Sequence, residues 1–453
     1  MYAPSNMLKI QMTIVSTTVQ LILRRLLPIL FCSAAVANAS KEIETDINQM
    51  LLRHDVRVAV DHPQSIDKQS LRELVELTEI PAPPFGEARR GLRFAEMLRQ
   101  AGLEDVRIDK VGNVVGLRPG RGDGRVVALS AHLDTVFPLD TDLKIKYQGD
   151  KMYAPGIGDN TRGLVSLLSV LHALQAAKIQ TEADLLFIGN VGEEGLGDLR
   201  GIKYLFRDGA EPIDALIAID GGSSHRIVYG GVGSHRYRIV IKGPGGHSWG
   251  AFGMANPHHA MGRGIARFVK KAPVITSTGE KTSFNIGRIG GGTSVNSIPF
   301  ESWAEVDLRS GNQEKLDEID ALLRASFTQA IVEENAARTT GQLLQIDFVK
   351  VGKRPAAAGN ADIPLVKRAV AASQHFGFDP SLEISSTDAN LPISLGIPAI
   401  TVSRGGRSGN AHSPNEWWQN DKSYLAVQIM LLTLLLESGI TDVLAAEPLA
   451  EQQ

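Results

Sequence analysis

The sequence predicts an α/β fold: a larger domain with a mostly parallel sheet flanked by helices, interrupted by an inserted ferredoxin-like α+β domain. Three observations predict it. Four continuous apolar runs, RVVALSA at 125–131, ADLLFI at 183–188, ALIAI at 215–219 and IPAITV at 397–402, read as strands buried on both faces. Helical spacing recurs among them, so strands and helices alternate. Between 231 and 350 the pattern changes to β-α-β-β-α-β, the ferredoxin-like order.

In chain order, residues 71–79 and 87–101 carry helical apolar spacing, separated by the rigid loop PAPP at 81–84. The strand at 125–131 follows, then a helix over 164–177 and the strands at 183–188 and 215–219. In the middle, 237–242 alternates, 257–271 is helical, and 283–289 and 303–309 alternate again. Residues 313–337 form a long amphipathic helix, and 343–351 alternates once more. The larger domain is therefore placed at 62–230 and 351–442, and the inserted one at 231–350.

The chain has 453 residues, 43% hydrophobic and 21% charged, with a net charge of −3, too long for one small core and too balanced for a disordered chain. No basic block offers a footprint for nucleic acid. The single cysteine, Cys32, excludes an intramolecular disulfide and a cysteine-rich zinc site, so a metal would need His and carboxylate ligands.

Arg24-Arg25, the short apolar run 26–36 and Ala37-Asn38-Ala39 have the order of a secretory signal peptide, residues 1–39, cut after Ala39. Met7 or Met12 is an alternative start. Phe31 before Cys32 argues against lipid attachment there. The expectation is an exported protein, periplasmic or secreted, with no stable membrane anchor after cleavage. The alternative is an uncleaved leader on a cytoplasmic protein.

Polar residues gather after the buried strands, where open α/β sheets place their sites. SAHLDT at 130–135 puts His132 and Asp134 on one face of an extended chain. GIGDNTRG at 156–163 presents Asp159 from a glycine-flanked loop. GNVGEEG at 189–195 sets Glu193 beside Glu194, a repulsive pair unless solvated or near a cation. Asp220-Gly221-Gly222 follows ALIAI, and GNAHSPNE at 409–416 follows IPAITV. Taken singly, each has an ordinary explanation: a paired strand-end His, a helix cap, solvated loop acids. Together they offer His132, Asp159, Glu194, Asp220 and His412, a set suited to two zinc ions sharing a carboxylate. Of the eleven histidines, only His132, His247 and His412 lie in glycine-rich polar loops.

These segments, in this order, resemble the dizinc peptidase and amidohydrolase family that includes peptidase T, glutamate carboxypeptidase, aminoacylase and succinyl-diaminopimelate desuccinylase. The likeness runs from about Leu71 to Ser438 and rests on SAHLDTV, GIGDNTRG, GEEGLGD, GPGGHS and the C-terminal His loop. It implies one zinc on His132, Asp159 and Asp220 and another on Asp159, Glu194 and His412. Asp159 would bridge, Asp134 would orient His132, Glu193 would be the general base, and the Asp159–Asn160 peptide would be cis. In the inserted lid and dimerisation domain the resemblance implies that His247 reaches an active site, often the partner subunit's, and that Asn296 and Arg309 contact substrate. Asn160 departs from the pattern, since many relatives carry a second Asp there.

The expected activity is metal-dependent hydrolysis of amide bonds in short peptides. Asp at 220, with SSTDAN at 385–390, resembles the peptidase T side, hence an aminopeptidase on di- or tripeptides. An N-acyl-amino-acid deacylase or a glutamate-type carboxypeptidase is the alternative. A non-catalytic metal-binding protein could dispense with Glu193, and no G-x-S-x-G elbow supports a serine hydrolase. Zinc suits the ligands, although Co2+ or Mn2+ could occupy the same site.

Overall fold

A computed structural model describes residues 41–122, 124–222 and 225–441. The expected leader, its cleavage site and Cys32 lie outside these residues. The described residues 41–53 and those from His54 onward fall into two units. In the first, residues 41–52 are helical (α1). Everything below concerns the second. Among the described residues, no helix is long and apolar enough to cross a membrane.

The chain runs α2 (His54–Ser65), α3 (Asp67–Thr78), α4 (Ala88–Gln100), β1 (Asp105–Ile108), β2 (Val114–Arg118), β3 (Val126–His132), β4 (Lys146–Gln148), β5 (Lys151–Tyr153), α5 (Gly163–Ala176), β6 (Asp184–Asn190), α6 (Arg200–Leu205) and β7 (Ala215–Ile219). Then come β8 (Arg226–Gly231), β9 (Gly233–Lys242), β10 (Gly246–His247), α7 (Pro257–Lys271), α8 (Pro273–Thr276), β11 (Thr282–Gly291), β12 (Ser297–Ile298), β13 (Glu301–Ser310), α9 (Gln313–Ala337) and β14 (Gln345–Arg354). The last are α10 (Pro364–His375), β15 (Ser381–Ser385), α11 (Asn390–Ser394), β16 (Ala399–Val402), β17 (Arg407–Gly409), β18 (Trp417–Gln419) and α12 (Tyr424–Ser438).

Among the described residues, the large sheet has eight strands in the order β1-β2-β6-β3-β7-β16-β8-β15. Its centre, β6-β3-β7-β16, is parallel throughout. These are the four apolar runs, and their continuity follows from cover on both faces. α5 and α12, apolar almost all round, are buried nearly throughout. α12 escapes a simple amphipathic reading because it has no solvent face.

The parallel register brings four strand ends together. His132 lies beside Asn190, Ser130 beside Ala218, and Ile219 beside Val402. The loops leaving these strands carry Glu193-Glu194, Asp220 and the approach to His412. Parallel strands must all exit at one edge, so residues far apart in sequence meet there.

The second sheet is antiparallel, in the order β11-β13-β9-β14. This is the ferredoxin-like arrangement, and α7 and α9 cover one face. Its core joins Tyr237, Ile239 and Ile241 of β9 to Phe268 of α7 and to Leu323 and Phe327 of α9. β14 runs on to Arg354, past a bulge between Lys350 and Gly352. That extension carries Arg354 to the other sheet's site.

A third, small sheet, β17-β18-β5-β4, frames the loops holding Asp159 and His412. Its strands of three residues are too short to leave a periodic signal in the sequence.

Candidate metal centre

His132 is the last residue of β3 and is fully buried. Its Nε2 lies 3.3 Å from Asp159 Oδ1. The other Asp159 oxygen, Oδ2, lies 3.3 Å from His412 Nε2, which is 2.8 Å from Glu194 Oε1. The Asp159 carboxylate thus faces one histidine with each oxygen, the disposition a bridging ligand needs. Among the described residues, side-chain ligand atoms converge in three sets, each within 4.8 Å: His132, Asp159 and Asp220; Asp159, Glu194 and His412; and His132, Glu193 and Glu194.

The buried atoms His132 Nε2 and Asp159 Oδ1 have no hydrogen-bond partner of good geometry. Two such atoms facing each other, ringed by carboxylates, fit a cation between them. Imidazole and carboxylate donors suit Zn2+, Co2+ or Mn2+.

Burial works against a charged His132, but the contact to Asp159 and the surrounding carboxylates raise it well above the usual histidine range. His412 is raised to about 10 by its contacts with Asp159 and Glu194. Burial raises Asp220, and the neighbouring Asp159 pushes it further.

Each loop is held by identifiable contacts. The Asp159–Asn160 peptide is cis, as the resemblance implied. Asn160 Nδ2 donates to the Ile219 carbonyl at 2.7 Å, a bond that an ionised aspartate could not make. This is a local reason for the departure at that position.

Asp134 acts differently from the expectation. The nearest acceptor to His132 Nδ1 is the backbone carbonyl of Asp134 at 3.0 Å, with its carboxylate 3.8 Å away. The carboxylate instead accepts the N–H groups of Glu193 and Glu194, at 3.0 and 2.7 Å. It therefore anchors the Glu193-Glu194 backbone, while its own main chain orients the histidine.

Glu193 is buried and salt-bridged at 2.6 Å to Arg354, which also donates to the Glu193 carbonyl. Burial raises the Glu193 carboxyl, and Arg354 opposes that shift. Arg354 thus fixes the Glu193 side chain beside His132 and Glu194.

His247 is in none of these ligand sets and lies beside Asn296. β10 pairs with β12, His247 opposite Ser297, and Ser248 N–H donates to the Asn296 carbonyl. Both side chains are exposed. His247 Nδ1 accepts from the N–H groups of Trp249 and Gly250, so its proton sits on the exposed Nε2. Arg309 pairs with Asp307 at 2.7 Å and lines a cleft of about 400 Å³ with Ser385 and Ser386.

Three residues with no role assigned from sequence complete the site. Arg354 holds Glu193. Buried Arg404 lies 3.4 Å from Asp220 and 3.7 Å from Asp159. Glu416 accepts backbone N–H groups from the Asp159 loop. Only Glu416 had a signal, four residues after His412 in the same polar loop.

The sequence profile of peptidase family M20/M25/M40 matches residues 128–437. Carboxypeptidase G2 of a Pseudomonas species is 24% identical over 363 residues, covering 76% of this chain and 82% of that protein. A tripeptidase of Staphylococcus aureus shares the fold with a TM-score of 0.68 at 22% identity, over 82% of this chain and 98% of that one. A dinuclear metal-binding peptidase of Bacillus subtilis does so at 0.59 and 18%, over 83% and 99%.

Proposed function

The chain belongs to peptidase family M20/M25/M40 and is a hydrolase of that family, and on that premise we propose that it cleaves peptide bonds in short peptides with two metal ions, most simply Zn2+. The observation that carries this reading is the Asp159 carboxylate, facing His132 with one oxygen and His412 with the other. His132, Asp159 and Asp220 would hold one ion, and Asp159, Glu194 and His412 the other. Bound ions supply a water of lowered pKa, near ~7, and polarise the scissile carbonyl. Glu193 takes the proton of the attacking water and delivers it to the leaving amine. Arg354 and the Asp134 carboxylate keep Glu193 in place. The Nε2–H of His247 is a donor suited to the developing oxyanion.

We assign the substrate as the free amino end of di- or tripeptides, on the strength of Asp220 and SSTDAN. The second reading, a carboxypeptidase or deacylase, is favoured by the carboxypeptidase G2 relative and by the cationic cleft at Arg309. A panel of free-amine tripeptides, N-acylated amino acids and peptides ending in glutamate separates them. Tripeptide turnover abolished by chelator and restored by Zn2+ is the expected result; cleavage of only the acylated or glutamate-ended compounds moves the assignment to the second reading.

Metal uptake should release protons. With His412 raised to about 10, its ring carries a proton at pH 7 that an incoming ion must displace. Affinity therefore falls as pH drops. A pH-stat titration with Zn2+ at pH 7.5 should record proton release, and none would argue against His412 as a ligand.

Export by the leader at 1–39 is part of the proposal, checked by sequencing the mature N-terminus. So is a homodimer through the inserted domain, with His247 acting in the partner's site. Mixing inactive Glu193→Gln and His247→Ala chains should restore part of the activity. A mixture that stays inactive after verified subunit exchange rejects the crossing.

A further inference from the structure

The bridging ligand Asp159 is held from behind by one side chain. Glu416 is 1% exposed, buried where a carboxylate needs partners. Its Oε1 accepts from Gly158 N–H at 2.9 Å and Asp159 N–H at 2.8 Å, and its Oε2 accepts from Gly156 N–H at 2.9 Å. Its carbonyl also accepts from Ala154 N–H at 3.1 Å. The glycines of the loop fit this arrangement. A Cβ on Gly158 would stand 2.9 Å from Glu416 Oε1, and one on Gly156 would strike Thr135 at 2.6 Å, at a φ of +76°.

The same loop carries His412. It leaves β17 and returns as β18, whose Trp417 pairs with Tyr153 of β5, just ahead of the Asp159 loop. One short segment thus supplies a ligand of one ion position and the clamp on the backbone that carries the carboxylate shared by both.

We propose that Glu416 is a positioning residue for the dinuclear centre, setting the affinity of both ions by caging the backbone on which Asp159 is mounted. The inference rests on the two-ion reading above. Its signature differs from that of a ligand. Loss of His412 removes one ion; loss of Glu416 leaves every ligand present and weakens both.

The test is competition of the full-length protein with a chelating dye for Zn2+, in the wild type and in Glu416→Gln, Glu416→Ala and His412→Ala. Glu416→Ala should still take up two ions at saturation, with affinity lowered ~10- to 100-fold at both positions, the scale for groups that orient ligands. Glu416→Gln, which keeps one carbonyl acceptor, should fall between. At saturating Zn2+, kcat should fall while KM stays. A shift in the melting temperature of the metal-free protein with unchanged Zn2+ affinity overturns the inference, as does weakening confined to one ion. Should Glu416→Ala fail to fold, Glu416→Gln carries the comparison. A wild type that binds a single ion instead defeats the two-ion premise, which the same titration reads separately.

Discussion

Glu193→Gln will lower kcat by roughly 10²- to 10⁴-fold, the range for loss of a general base, while the protein still binds two metal ions. The substituted amide has nearly the same shape and keeps a carbonyl oxygen for Arg354, which now holds Glu193 Oε1 at 2.6 Å. What it loses is the capacity to accept a proton. At 1.36 kcal/mol per tenfold, a 10²-fold loss corresponds to about 2.7 kcal/mol of transition-state stabilisation. Steady-state kinetics paired with metal analysis of the purified variant make the check. Near-normal turnover removes Glu193 from the mechanism. A large loss accompanied by loss of metal reassigns it as a ligand.

The second large effect belongs to the bridge. Asp159→Ala should strip both ions at concentrations where the wild type holds two, and turnover should fall by on the order of 10³-fold or more, because the activated water and the polarised carbonyl are lost together. His132→Ala and His412→Ala should each cost one ion, since each histidine approaches a different oxygen of Asp159. Elemental analysis after dialysis reads all three variants. Two tightly held ions in either histidine variant would break the ligand assignment, and one retained ion in Asp159→Ala would show that the carboxylate does not bridge.

The candidate site residues were legible in the sequence because they sit where local patterns end. A buried parallel strand is a continuous apolar run, and the first polar residues after it mark its carboxyl end. That reading isolates His132, Glu193, Glu194 and Asp220 without knowledge of the strand order. The ferredoxin-like insertion was legible because its four strands are ten residues long and its two helices 15 and 25, enough for alternation or helical spacing to show over part of each.

Tertiary structure decided what holds these residues. Arg354 and Glu193 are 161 positions apart, and Glu416 lies 257 beyond Asp159. Neither contact is encoded in any period of the chain, and the three-residue strands that align Glu416 leave no pattern of their own. Asp134 makes the same point at close range. From sequence its carboxylate looks like the partner of His132 two residues away, yet two buried N–H groups of the Glu193-Glu194 backbone compete for it and win. An ionised carboxylate is better satisfied by two backbone donors than by one, and the histidine finds the adjacent carbonyl instead. Sequence spacing names the groups at the site; the competition among buried donors and acceptors, settled only when distant segments pack, assigns each its partner.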